Sequence, residues 1–218
     1  LVFQHGNPGQ AGGGALVVSG GTNTVAAVAN NSFVDNACPS NSRGSAIQIG
    51  AETILLNNNL FIANSGGSAI SLYPSFVADV NNNTVVGNQL ANHVGIGAFN
   101  PASSTGTYYV SNNIFWGNEG SDIYDQNGSV QYFHNDIGVR SGQPPLAESA
   151  DMSVDPQFDG FLSVRPAPTS PLVNAGYDTP YGGIGRLDLG GDQRLIGAHV
   201  DIGAYENQAV IFRDGFAP

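Results

Sequence analysis

NNLFIAN, residues 58–64, recurs along the chain as NNSFVDN (30–36), NNTVVGN (82–88) and NNIFWGN (112–118). Every copy keeps the order of amide and apolar positions, so one structural unit is laid down repeatedly. From Asn31 to Asn59, Asn83 and Asn113 the period is roughly 22–30 residues, the length of one solenoid coil and too short for a domain. A degraded fifth copy, YFHNDIG (132–138), sets Asn135 in register with Asn113 and puts His134 at the corner where the other coils carry asparagine.

Two further elements accompany each copy. Upstream lie GGALVV (13–18), GSAIQIG (44–50), GSAISLY (67–73), VGIGAF (94–99) and SDIY (121–124). Between them and the asparagines lie TVAAVA (24–29), TILLN (53–57), FVADVN (76–81), TYYVSN (107–112) and SVQYF (129–133). Each repeat thus reads as three short strands with period-two alternation, separated by Gly, Asn and Ser turns, and no segment sustains a helical period.

This pattern predicts an all-β fold: a right-handed, single-stranded parallel β-helix of about five coils, with each strand bonded to its equivalents in the coils above and below. The coils occupy residues 1–140. An irregular C-terminal cap, 141–218, packs back on them and ends in a strand-like tail. Asparagine suits a repeated corner because it tolerates left-handed backbone and its amide can donate to the next asparagine in the stack. Asn31, Asn59, Asn83, Asn113 and Asn135 are therefore read as a structural ladder.

Alternation sends Phe33, Phe61, Val85 and Phe115 inward as one column, and Val28, Leu56, Val80 and Val110 inward as part of another. The same alternation turns Val34, Ile62, Val86 and Trp116 outward, together with Leu60 and Ile114. A stripe this apolar is seldom left in water, so it is expected to be covered by the C-terminal segment or by a neighbouring subunit.

The chain carries a formal net charge of −11 and its six Lys+Arg are all arginine. That balance argues against nucleic acid, which needs a basic surface, and against phosphate-rich acidic partners. Cys38 alone cannot form an intrachain disulfide and reads as a loop thiol. No apolar run is long enough to span a bilayer, and no charged-then-apolar leader opens the sequence. LVFQHGNPGQAGGGALVV (1–18) enters the repeats without a polar or helical cap. The expectation is either that upstream coils and a signal peptide have been removed or that another molecule covers this end.

Past SGQPPLAES (141–149) come DPQF (155–158), SPLVNAG (170–176), DLGGDQR (188–194) and VDIGAYE (200–206), in that order. The series resembles the C-terminal end of secreted bacterial β-helix proteins of the choice-of-anchor Q type, whose solenoids belong to the pectate-lyase-like superfamily. The resemblance covers most of the chain; its tail motifs are specific and its coil motifs generic. GGDQR departs from the Gly-Asn-Pro-Arg turn common in that group. AVIFRDGFAP (209–218) resembles an I-F-x-D-G-F ending found on exported proteins of gammaproteobacteria. It reads either as a docked strand burying Ile211, Phe212 and Phe216 or as a sorting signal.

The resemblance implies an extracellular or cell-surface bacterial protein that contacts long sugar chains. A lyase of that superfamily needs an arginine or lysine base and often calcium; the repeats offer only Arg43 and Arg140, both in loop-like stretches. A hydrolase needs gathered carboxylates, and Asp79, Asp122, Asp125 and Glu119 do not recur at one coil position. His5, His93, His134 and His199 lack metal-ligand spacing. Arg186, Asp188, Asp192, Arg194, Asp201 and Glu206 read as ion pairs holding irregular backbone, with calcium the alternative and no other cofactor implied.

The expected function is a structural, adhesive or glycan-contacting module. The alternative is a polysaccharide-active lyase or hydrolase, or a fragment of one. Head-to-tail self-association into filaments is expected if the uncapped N-terminal coil pairs with the C-terminal tail of a neighbour.

Overall fold

In the computed structural model the described residues are 1–7, 13–38, 44–90, 97–103, 105–160 and 163–208. Among them there is no α-helix, and every pairing between named strands is parallel. The chain winds as a parallel β-helix with three long faces.

The first face stacks Leu16–Ser19, the opening halves of Ile47–Asn57 and Ile70–Asn81, then Gly97–Pro101, Ser121–Asp125 and Arg140–Gly142. The second stacks Val25–Ala29, the closing halves of the same two long strands, Thr107–Ser111, Val130–Phe133 and Ala147–Ser149. Because the two long strands bend around the shared corner, these faces form one 10-stranded sheet. The bend shows in the register, which shifts between Ala51 and Thr53.

The third face is a 6-stranded sheet of Val2–Gln4, Ser32–Val34, Leu60–Ile62, Thr84–Val86, Ile114–Trp116 and Asp136–Ile137. It is the NNLFIAN motif repeated, one rung beyond the about five that the sequence repeats mark. Strand pairing also runs past residue 140, through Ser149, before the irregular segment begins.

The core follows from the alternation. Phe3, Phe33, Phe61, Val85, Phe115 and Ile137 stand in one register down the third face. Phe3, Phe33 and Phe61 stack nearly parallel with ring centres 4.9 and 4.8 Å apart, the rise between rungs of a sheet. Val28, Leu56, Val80, Val110 and Tyr132 form the second-face column. At the top of the stack Arg140 lies 4.6 Å over the Tyr132 ring and pairs with Glu148 at 2.7 Å. A charged lid thus closes this end of the apolar column.

The paired asparagines divide two tasks that the sequence reading assigns to one residue. The first of each pair, Asn30, Asn58, Asn82 and Asn112, takes left-handed backbone with φ of 53 to 58°, and His134 does so at 55°. Asparagine accepts that conformation at lower cost than most residues because its short amide bonds locally. The second of each pair forms the ladder: Nδ2 of Asn31, Asn59, Asn83 and Asn113 each donates to Oδ1 of the next, ending at Asn135. Each Oδ1 also accepts the backbone N–H of the residue below.

A parallel ladder at the other end of the motif joins Asn36, Asn64, Asn88 and Asn118. Both ladders finish on a carboxylate, Asp151 after Asn135 and Asp122 after Asn118. An amide stack with one direction needs a final acceptor and no further donor, which is what aspartate supplies.

Candidate functional site

The C-terminal segment descends the solenoid along the left-handed corners. Ala175 O bonds His134 Nδ1 at 2.9 Å, Tyr177 exchanges two bonds with the Asn112 side chain, and Asn81 Nδ2 donates to Tyr181 O and Gly183 O. Asn58 Nδ2 then donates to Leu187 O. The first asparagines of three pairs, Asn58, Asn82 and Asn112, together with Asn81, are therefore the docking points for the segment.

On both sides of this stretch in sequence the segment lies over the third face. Val86 and Ile114 form a buried cluster with Leu172 and Ile202, and Ile62 and Trp116 pack against it beside Met152, Phe158 and Val164. Leu60 is also buried. From Leu60 to Trp116 the outward stripe of this face is thus covered by the same chain, whereas Val34 is half-buried and outside the cluster. Ile211, Phe212 and Phe216 lie outside the described residues.

The charged residues of the segment hold its irregular backbone. Arg194, fully buried, donates to Asn58 Oδ1 and to the carbonyls of Gly203 and Ala204, and lies 3.6 Å from Glu206. Burial and the adjacent Asp201 push Glu206 up to about 8 despite this arginine. Arg165 stacks 4.6 Å over Tyr205 and lies 3.5 Å from Asp188. Among the described residues no group of three or more His, Cys, Asp or Glu is placed to hold a metal.

The residues weighed for catalysis stay apart. Asp122 ends a ladder, Asp125 accepts the N–H groups of Asn127 and Gly128 in a tight turn, and Asp79 is buried on the outer side of the second face. Arg140 is occupied by Tyr132, Glu148 and, at 3.9 Å, Asp151. Arg43 and His93 lie outside the described residues. His5 pairs with Asp35 at 3.1 Å and His199 with Asp178 at 2.8 Å. Cys38 is buried and its sulfur accepts the Gly67 N–H; burial pushes its thiol up.

What the arrangement does assemble is a cleft of about 500 Å³ at the seam between the second face and the descending segment. The solenoid contributes Tyr109, Ser111, Phe133, His134 and Ser149; the segment contributes Tyr177, Thr179, Pro180 and Tyr181. Tyr109 and Tyr181 stack at 4.4 Å, and His134 stacks on Tyr177 at 5.6 Å. Tyr177 and Tyr181 keep 40% and 50% of their surface in solvent. Aromatic planes with hydroxyls between them bind ligands that have an apolar face and a polar rim.

The sequence reading passed over this site. Its solenoid wall was available in the alternation: Tyr109 and Phe133 occupy outward parity on strands whose inward residues are Tyr108, Val110 and Tyr132. The other wall comes from a non-periodic segment, where no parity rule applies.

Comparison with family models, with curated proteins and with solved structures gives no match. The described chain has no helix long and apolar enough to cross a membrane.

Proposed function

We propose that this protein is an extracellular or cell-surface β-solenoid of bacterial origin that contacts an uncharged glycan through the aromatic seam cleft. The observation that carries the reading is the cleft's wall of Tyr109, Phe133, Tyr177 and Tyr181 interleaved with Ser111, Ser149 and Thr179. A sugar ring presents C–H bonds on one face and hydroxyls at its edge; the negative face of an aromatic ring attracts the first, and serine and threonine hydroxyls bond the second. A neutral sugar is favoured because the chain carries −11 net charge, which repels uronate polymers.

The tail motifs' resemblance to choice-of-anchor Q proteins supports an exported, surface-associated setting. Engagement of Arg140 by Tyr132 and Glu148 supports contact over cleavage. The lyase or hydrolase alternative predicts cleavage products; a purely structural module predicts none, with self-association into filaments retained.

The test is calorimetric titration with neutral and acidic oligosaccharides, alongside product analysis. Saturable binding of a neutral glycan, weakened at least about tenfold by Tyr181→Ala, supports the reading. Binding unchanged in that variant removes the cleft from it, and release of unsaturated oligosaccharides makes the protein a lyase.

A further inference from the structure

We propose that Asp79 is a proton-operated latch on the seam cleft: its neutral carboxyl lets the Tyr181–Gly183 turn seat on the second face, and its ionisation lifts that turn. The consequence for ligand rests on the glycan reading above; the latch itself does not.

Asp79 lies at outward parity on the second face, in register with Leu55 and Tyr109 on the neighbouring coils. Yet it is fully buried, because the 181–183 turn covers it. Neither carboxyl oxygen has a hydrogen-bond partner. Gly182, at φ 81°, presses its backbone against the carboxyl so closely that a Cβ there would collide with Asp79 Oδ2. The turn is otherwise held by Asn81 Nδ2, at 2.8 Å from Tyr181 O and 3.2 Å from Gly183 O, and by the Tyr181 ring on Tyr109. Tyr181 is itself a wall of the cleft, so whatever lifts the turn dismantles the site.

A buried carboxylate without donors is among the costliest groups a fold can hold, whereas the neutral acid is tolerated. The groups facing Asp79 compensate only in part. On its own strand this is the Asn81 amide and on a neighbouring coil the Asn57 amide, both favouring the carboxylate; Tyr109 stands in register on the other neighbouring coil. Burial outweighs the two amides and pushes Asp79 up to about 7. With the turn lifted, the carboxyl meets water and ionises near the ordinary aspartate value, its proton passing to solvent. The closed turn therefore binds the extra proton. Its stability is greatest below about pH 4, falls as pH rises toward 7, and levels off above that.

The test is amide hydrogen exchange at residues 181–185 from pH 4.5 to 8.5, comparing the parent with Asp79→Asn. Both proteins also carry His134→Asn, which takes the imidazole out of the cleft and restores the asparagine its corner carries elsewhere. Taking the ratio of rates at each pH cancels the intrinsic pH dependence of exchange. The latch predicts a parent-to-variant ratio that is already rising at pH 4.5, is at least about tenfold larger by pH 7.5 and diverges no further. A ratio that stays flat overturns it. Should Asp79→Asn fail to fold, the carboxyl ¹³C titration of Asp79 in the parent decides: a midpoint near 7 supports the latch and one below 5 overturns it. Divergent exchange in a protein that binds no glycan at any pH keeps the latch and discards the cleft's ligand. Glycan binding with flat exchange does the reverse.

Discussion

Arg194 Nη2 donates to Asn58 Oδ1 over 2.6 Å, joining residues 136 positions apart, and both side chains are buried. Asn58 is a left-handed corner of the third-face repeat; Arg194 is the pivot of the C-terminal turns. The bond fixes the segment to the coil stack at a point where neither partner has water as a substitute.

Replacing Arg194 with Met removes the donor to Asn58 Oδ1, takes one donor each from Gly203 O and Ala204 O, and removes the charge beside Glu206. The expected cost is about 3–5 kcal/mol, that of about two buried hydrogen bonds from a charged donor at about 1.5–3 kcal/mol each. Arg194→Lys recovers little of it, because a single ammonium cannot span acceptors arranged for a planar fork. Urea denaturation measures both, and a loss below about 1 kcal/mol for the Met variant would show that the segment is held elsewhere.

Adjacent asparagines should respond differently to substitution. Asn82→Gly keeps the left-handed corner and loses only the bonds to Asp201 O and Gly203 O, at 3.2 and 3.5 Å. About 1 kcal/mol is expected. Asn83→Asp turns a donor that serves Leu56 O, Asn81 O and Asn113 Oδ1 into a carboxylate facing three acceptors; at least about 3 kcal/mol is expected. Thermal melts rank the pair, and the reverse order would refute the division of labour between them.

Phe61 stacks on Phe33 and is in register with Val85 at the centre of the core. Phe61→Ala should cost about 3–5 kcal/mol. Phe3→Ala, at the half-buried end of the same stack, should cost visibly less. Equal losses in chemical denaturation would mean that the column is not packed as a continuous stack.

Folded-state protonation sets a pH trend opposite to ordinary acid denaturation. Burial raises Asp136 to about 6, Asp79 to about 7 and Glu206 to about 8, and raises Asp122, Asp151 and Asp201 as well. Each binds its proton more tightly folded than unfolded, so the stabilisation is complete below about pH 4 and is lost as pH rises through 6 to 8. Tm should therefore fall between pH 5 and pH 8.5, and Glu206→Gln should flatten the upper part of that slope. A Tm that rises across the interval would contradict the trend.

The coil was legible because its signal is local. Three alternating strands and two asparagine positions recur within each repeat, and a strand that pairs only with its own equivalents leaves register no freedom. The core column Phe33, Phe61, Val85 and Phe115 follows directly. The second ladder, Asn36 through Asn118, was present in the motif's last letter; its terminal Asp122 was not, since it bonds Asn118 from the following strand.

By itself, then, the sequence determined the winding, the three faces, which side chains turn inward and that an apolar stripe required a cover. Only the tertiary structure decided what covers it, which of two neighbouring asparagines turns the corner and which builds the ladder, and that Tyr181 returns to Tyr109 to make a cleft. Alternation and corner residues act over a few positions, so repetition writes them plainly. The docked segment is placed by contacts such as Arg194 with Asn58, which depend on shape and buried hydrogen bonds between distant residues and leave no period to read.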